Sequence, residues 1–516
     1  MTLDQWFIFF LIVQAVHFAG TWKLYEAAGR KRWEAAIPVY NAIVLMKIIN
    51  RPTWWTILLF IPIVNLIMFP VVWVETLRSF GRNSSTDTWL AVLTFGLYIY
   101  YVNYTQKLNY VTDRDLYPRT KRGETVSSIL FAIVVATMVH TYFMQPFTIP
   151  TSSLEKSLLV GDFLFVSKFH YGARVPMTTV AAPMVHDTIP VLRVKSYSKW
   201  PQAPYFRFPG METIENNDIV VFNWPVDTVR QFFKAEARVD KPIDKKSNYV
   251  KRCVGIPGDS LKIVDGEVYI NNKKLILPER ARPQHSFFVT IDGKTPIDFE
   301  HVMKELDITD RAGYKSERRD TLFFSSMTDD TAARLRNIPG ITSVTKKVMP
   351  ASYYDGAFPK IGKGNGDNFP SLYIPQAGKT VALDTKVLPY YKKIITEYEH
   401  NDLKVNGDEI RINGKPATSY TFQQNYYWMM GDNRHNSEDS RYWGYVPENH
   451  IVGKPVFIWM SISGINDGIK NWRIRWDRVF TTVSGDGERT SYFKYFLLLL
   501  GAYVAWDYFR KKKKAA

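Results

Sequence analysis

The distribution of charge along this chain divides it into blocks before any motif is sought. Stretches without a charged residue run from Gln5 to Trp22, Pro52 to Val74, Thr88 to Gln106 and Thr125 to Leu154, and a fifth, interrupted by Lys494, runs from Ser491 to Trp506. Each approaches the roughly 20 residues that an α-helix needs to cross a hydrocarbon layer of about 30 Å, so the pattern predicts five membrane spans. The polar connections carry the orientation. Lys23, Arg30, Lys31, Arg32, Lys47 and Arg51 lie between the first two stretches, and Lys107, Arg114, Arg119, Lys121 and Arg122 between the third and fourth. Arg78 and Arg82 lie between the second and third, and Arg510 to Lys514 follow the fifth. Lys and Arg accumulate on the cytoplasmic side of short connections, so the three basic clusters share that side only if the N-terminus and the segment from Thr151 to Thr490 face outward. The first stretch reads as an anchor rather than a cleaved signal peptide, since Met1 to Gln5 carries Asp4 and no basic residue. An echo, Ile37-Pro-Val-Tyr-Asn41 and Ile61-Pro-Ile-Val-Asn65, predicts two related short hairpin elements.

Beyond Val160 the period shortens to that of strands. GDFLFVSKF, NNDIVVFNWP at Asn217 to Pro225, NYVKRCVGIPGDSLKIV at Asn248 to Val264 and the strand-turn-strand DGEVYINNKKL are β-branched and aromatic runs bounded by Gly, Pro and Asn. The segment from Val264 to Asn272 is echoed from Val405 to Gly414, so the outer region reads as mainly antiparallel β. Between the echoes, strands at Ser286 to Ile291, Asp320 to Met327 and Ile341 to Val348 alternate with helical stretches near Phe299 to Leu306 and Asp329 to Asn337. That order predicts a small α+β insertion of ferredoxin-like type. The expected architecture is a multi-pass α-helical anchor carrying a mainly antiparallel β outer domain. Its parts are 1–124, with about three spans; 125–146, a transmembrane helix; 147–285 and 405–490, the β-rich domain; 286–404, the insertion; and 491–516, a final transmembrane segment with a basic tail.

Composition narrows the function. With 516 residues, 46% of them apolar and 15% aromatic, the chain has enough hydrophobic material for several cores and is not a disordered tail. A net charge of +17 points toward nucleic acid on its own, but the basic residues concentrate between apolar runs, which excludes a nucleic-acid groove. Cys253 is the one cysteine, so no intrachain disulfide is possible. One cysteine and no HExxH exclude the common zinc sites, and no cofactor or metal is expected.

Three stretches carry candidate chemistry. Thr148 to Asp162, TIPTSSLEKSLLVGD, sets a hydroxyl cluster where Pro146 and Pro150 end an apolar segment at a membrane surface. On pattern alone Thr151, Ser152 and Ser153 read more readily as a helix N-cap or turn. A serine needs a base to become a nucleophile, and His140, His170, His285 and His435 occupy no setting that supplies one. A lysine serves if burial lowers its pKa by about 3 units. Lys251 alternates with Arg252 along its strand, on the face of Tyr249, Cys253 and Gly255, and on pattern alone it reads equally as a solvent-facing strand lysine. Tyr426 to Pro455 is the densest stretch, with Gly431-Asp-Asn-Arg434 demanding an open turn and Ser437, Asp439, Ser440 and Arg441 supplying hydroxyls and an ion pair.

Together IPTSSLEKSLLVGD, NDIVVFNWP, YVKRCVGIPGD and MMGDNRHNSEDSRYWGYVP resemble, in order, the boxes of bacterial type I signal peptidase, the membrane-bound Ser/Lys endopeptidase that removes signal peptides. The likeness covers Thr125 to about Asp259 and Tyr426 to about Pro455. It implies that Ser153 is the nucleophile and Lys251 the general base, with Ser437 orienting the lysine. It further implies that Thr151 and the Ser153 N–H form the oxyanion hole, that Asp439 and Arg441 form a supporting ion pair, and that Gly431 allows close packing. The implied substrates are preproteins with small residues at the first and third positions before the cut. Membrane lipid is an implied partner, the secretion machinery another, and the implied location is the outer face of the cytoplasmic membrane. Phe147, Ile149, Leu154, Trp200, Tyr205, Phe206, Phe208 and Trp224 are candidates for an apolar surface resting on lipid.

The chain departs from the family pattern in places. Ser-Gly-Ser-Met followed by a proline is common there, whereas Leu154 is followed here by Glu155, Lys156 and Ser157; His435 stands where Asp is usual and Asn217 where Gly is common. Two other readings fit the same boxes: a catalytically silent membrane scaffold or receptor, and an enzyme of this fold acting on other membrane-anchored segments.

Overall fold

The computed structural model describes residues 1–118, 120–229, 237–315, 317–485 and 487–515, so Arg119 of the third basic connection lies outside the described residues. The chain divides into two compact units, one formed by 1–144, 173–208 and 228–246, the other by 145–172, 209–227 and 247–516.

The first unit is largely helical. Its longest helix, Leu3–Ala27, starts at a capping box in which Thr2 and Gln5 bond each other's backbone N–H groups. A second long helix occupies Lys121–Met138 and continues as a π-helical turn through Val139–Phe143. Among the described residues, Leu3–Ala27 and Lys121–Phe143 are the two helices long and apolar enough to cross a membrane. The other three predicted spans are not such helices. Pro52 to Val74 is divided into Trp55–Leu58 and Val64–Ser79, and Thr88 to Gln106 into Ser85–Leu93 and Tyr98–Thr105.

The breaks have local causes. Pro62 biases the residue before it away from helix, Ile63 takes a positive φ of 71°, and Phe95 and Gly96 turn left-handed between the second pair. The echoed pentapeptides are helix entrances rather than hairpins. Val39 and Ile63 are both left-handed N-caps, and in both copies the Asn N–H donates to the Ile carbonyl four residues earlier at 2.9 Å. The last helix, Phe493–Ala515, has an uncharged part only from Tyr495 to Trp506, about 18 Å long at 1.5 Å per residue.

The second unit is built on antiparallel β-structure. One sheet runs in the order 144–148, 162–167, 451–463, 219–223, 248–255, 426–430, 446–447. In it Ile219–Asn223 pairs with Asn248–Gly255, setting Val220 opposite Lys251, and Tyr426–Met430 flanks that strand with Met430 opposite Arg252. A second sheet, ordered 369–373, 260–264, 267–270, 273–274, encloses an aromatic core with 388–398 and 420–428. Trp428 is fully buried there against Phe358, Phe369 and Tyr445, with ring centroids 5.3–6.0 Å away.

The insertion contains one strand more than its sequence suggested. Gln284–Ile291, Phe299–Glu305, Ala312–Tyr314, Thr321–Thr328, Asp329–Leu335 and Ile341–Lys346 form β-α-β-β-α-β. The strand order is 341–346, 284–291, 321–328, 312–314, the fourth, first, third and second in sequence, and every neighbouring pair is antiparallel. Ala312–Tyr314 escaped notice because a three-residue segment with a central Gly has no readable alternation.

Trp428→Ala removes the largest buried side chain of the aromatic core. It is expected to lower unfolding free energy by about 3–5 kcal/mol, read from the thermal or denaturant midpoint of detergent-solubilised protein.

Candidate active site

The segment after Pro150 forms a short 3-10 turn, Ser152–Leu154, entered from Thr151 in extended conformation. Leu154 and Ile149 anchor it: both are buried, in a cluster with Leu158, Ile219, Val221 and the half-buried Val250. They therefore belong to the core rather than to a lipid-facing surface. Trp200, Tyr205, Phe206 and Phe208 are exposed, while Trp224 stacks on Tyr249 at 4.9 Å. Thr151 is exposed and makes no capping hydrogen bond; Ser153 is half-buried.

Lys251 is 4% exposed, with Nζ 5.6 Å from the centre of the Tyr249 ring. Burial pushes its amine down to about 8, against the pull of the Asp439 carboxylate and aided by the nearby Arg441. Gly431 extends the neighbouring strand. A Cβ there would lie 2.2 Å from Ser437 Oγ and 2.6 Å from the Ser153 carbonyl oxygen, so only glycine lets the serine turn, the Ser437 hydroxyl and this strand approach so closely. Ser437 Oγ is buried and has no hydrogen-bond partner among the described residues. Among the described residues no hydrogen bond joins Lys251 Nζ to Ser153 or Ser437.

Two buried ion pairs flank this cluster. Arg441 donates from Nε and Nη2 to the two Asp439 oxygens, each at 2.8 Å, and from Nη2 to the Arg434 carbonyl at 2.6 Å. Asp439 also accepts the Gly431 N–H at 3.0 Å, which ties the glycine to the pair. Burial alone would raise the Asp439 carboxyl, but the Arg441 guanidinium holds it below the usual carboxylate range. Arg252, on the opposite face of the lysine strand, donates to both Asp432 oxygens at 2.7 and 2.6 Å, and Ser157 Oγ donates to Asp432 at 2.5 Å. The sequence named neither Arg252 nor Asp432 as a functional residue; the signal was the adjacency of each to a motif position, KR and GD.

The histidines are engaged elsewhere. His435 Nδ1 accepts the Ser286 N–H at 2.8 Å and Nε2 lies 2.8 Å from Asp367 Oδ1, so the imidazole bridges the strand Gln284–Ile291 and the loop of Asp367. Among the described residues no group of His, Cys, Asp and Glu is arranged to hold a metal ion.

A buried amine of lowered basicity, a serine turn and an unpaired hydroxyl around one glycine is an arrangement suited to acyl transfer. The match to known families agrees. Signal peptidase, peptidase S26, matches residues 122–321 and 374–460, more than half of the chain. The chain belongs to this signal peptidase family. Residues 33–113 match a second family, of unknown function (DUF5684), which covers the broken helices of the first unit. Similar proteins include Signal peptidase I of Buchnera aphidicola subsp. Baizongia pistaciae, 25% identical over 66% of this chain and 77% of the relative. Signal peptidase I of Haemophilus influenzae is 24% identical over 71% of this chain and 77% of the relative, and that of Rickettsia typhi 22% identical over 66% and 83%. The chain is thus a peptidase acting in signal peptide processing, and its apolar N-terminal helices are consistent with membrane anchoring.

Within this peptidase the lysine is held at a cost to stability. Its folded pKa of about 8 lies below the ordinary 10.5, so the unfolded chain binds the proton more tightly and the native state is penalised fully below pH 8. Lys251→Met is expected to raise the unfolding midpoint at pH 7, by about 3 kcal/mol at most. The gap from the parent should close as pH rises from 8 to 10.5. Asp439→Asn, which strips Arg441 of its counter-ion, should lose about 3–5 kcal/mol in the same measurement.

Proposed function

We propose that this chain is a type I signal peptidase that cuts exported preproteins at the outer face of the cytoplasmic membrane with a Ser153/Lys251 dyad. The observation that carries the reading is the buried Lys251 amine with its basicity lowered to about 8, on the strand beside the serine turn. A neutral amine accepts the Ser153 Oγ proton as the hydroxyl attacks the scissile carbonyl, and the same proton then leaves with the amine of the mature protein. Water, deprotonated by Lys251, releases the acyl group. The Ser153 N–H and the Thr151 hydroxyl stabilise the oxyanion, each contributing about 3 kcal/mol when water is excluded. Ser437 Oγ, buried and unpaired, orients the lysine, while Gly431 and the Asp439–Arg441 pair hold the surrounding loop.

Substrates carry small residues such as Ala at the first and third positions before the cut. The anchor is multi-pass. The N-terminus and residues 151–490 face outward and the basic connections face the cytoplasm, a parity that is the same whether the broken segments within 52–106 cross twice or not at all.

Ser153→Ala and Lys251→Ala, purified in detergent and given a preprotein with an Ala-X-Ala site, should lose at least about 10³-fold in kcat. Lys251→Arg should be equally inactive, since guanidinium keeps its proton near neutral pH. Parental kcat should rise through about pH 8 as the lysine deprotonates. Cleavage by either alanine variant at the parental rate defeats the dyad. For topology, cysteines at the exposed positions Ile276 and Lys47 separate the two sides. In intact cells an impermeant maleimide should label Ile276→Cys and spare Lys47→Cys, the buried Cys253 remaining silent.

A further inference from the structure

The insertion reaches the serine turn through one carboxylate. Asp310 follows the helix Phe299–Glu305 and is half-buried; its Oδ2 accepts Asn433 Nδ2 at 2.8 Å and Asn436 Nδ2 at 3.3 Å. Both amides hold the serine turn with their remaining hydrogens. Asn433 Nδ2 donates to the Ser152 carbonyl at 3.2 Å, and Asn436 Nδ2 donates to Ser152 Oγ at 3.2 Å. The Asn433 backbone N–H donates to the Ser153 carbonyl at 3.1 Å. Asn433 is fully buried, and its Oδ1 accepts Ser326 Oγ from another strand of the insertion. That acceptor–donor arrangement fixes which way the amide points, because Oδ1 faces a hydroxyl donor and Nδ2 faces a carboxylate.

The consequence follows from peptide geometry. In a trans peptide the C=O of one residue and the N–H of the next point in opposite directions in one plane. Holding the Ser152 carbonyl therefore sets the aim of the Ser153 N–H. We propose that Asp310 is a positioning residue of this peptidase: it orients Asn433 and Asn436, which clamp the Ser152–Ser153 peptide and direct the Ser153 N–H toward the developing oxyanion. The inference rests on Ser153 being the nucleophile. It makes the α+β insertion part of the active site, joined also by Lys156 Nζ to Asp307 Oδ2 at 2.6 Å and by the Gln284 N–H to the Asp432 carbonyl at 2.8 Å.

A misaimed oxyanion donor weakens binding of the transition state more than binding of the ground state. Steady-state cleavage of an Ala-X-Ala preprotein by the full-length protein in detergent reads this out. Asp310→Ala should lower kcat about tenfold or more with KM within about twofold and an unchanged pH profile. Asp310→Asn, which keeps one acceptor oxygen, should fall between Asp310→Ala and the parent, and Asp330→Asn, on an exposed part of the insertion, should match the parent. Ser153→Ala run alongside separates the two ideas, since an active Ser153→Ala overturns the nucleophile assignment itself. If Ser153→Ala is dead while Asp310→Ala keeps parental kcat, or loses kcat only in step with a fallen melting temperature across both Asp310 variants, the positioning role is overturned.

Discussion

A charged ammonium loses several kcal/mol of hydration when it is taken from water, and a protein that buries one must neutralise it, pair it or tolerate the loss. Lys251 is buried, and among the described residues no carboxylate pairs with it; the strongest acidic influence on it, Asp439, already has both oxygens on Arg441. That arrangement decides the character of the whole site. Had Asp439 been available to the lysine, its carboxylate would have stabilised the ammonium and raised the amine's pKa. Because Arg441 occupies the carboxylate, the amine is left with little compensation and its proton is held loosely.

The loop from Gly431 to Arg441 is organised to keep that situation fixed. Gly431 gives its N–H to Asp439 and leaves room for Ser437 and the Ser153 carbonyl; Asp432 pairs with Arg252, which would otherwise be an uncompensated buried cation on the opposite face of the lysine strand. Asn433 grips the serine turn, and Arg441 holds the loop closed through the Arg434 carbonyl. Asp432, Asn433, Asp439 and Arg441 thus each have a separate mechanical task. Removing any one of these buried groups leaves a charge or a polar group without its partner and shut off from water.

The helical unit obeys a different constraint. Absence of charge is necessary for a span but does not make a helix continuous, and Pro62 and Gly96 interrupt stretches that composition marked as crossing. The left-handed entrances at Val39 and Ile63 begin short helices whose buried side chains pack with Leu24, Tyr25 and Val102 in one core. The helix Tyr40–Ile48 and the four short helices within 55–105 pack on one another as a tertiary solution, since none is long enough alone to satisfy a bilayer.

Most strands around the motifs, and the order of the motifs, were legible in the sequence because period-two alternation and Gly, Pro and Asn punctuation act over a few residues. The strand Asn248–Gly255, the echoed hairpins and the helix Lys121–Phe143 follow from local pattern alone. The existence of Lys251, Ser153 and Asp439 in recognisable settings was equally open to reading. What the chain order could not give was environment. Whether Lys251 met water or apolar side chains, whether Ser437 found a partner, and that Asp310 lies beside Asn433 depend on segments more than a hundred residues apart in sequence meeting at one place. Burial and long-range pairing are properties of the assembled core, and a lysine acquires its chemistry only from what finally surrounds it.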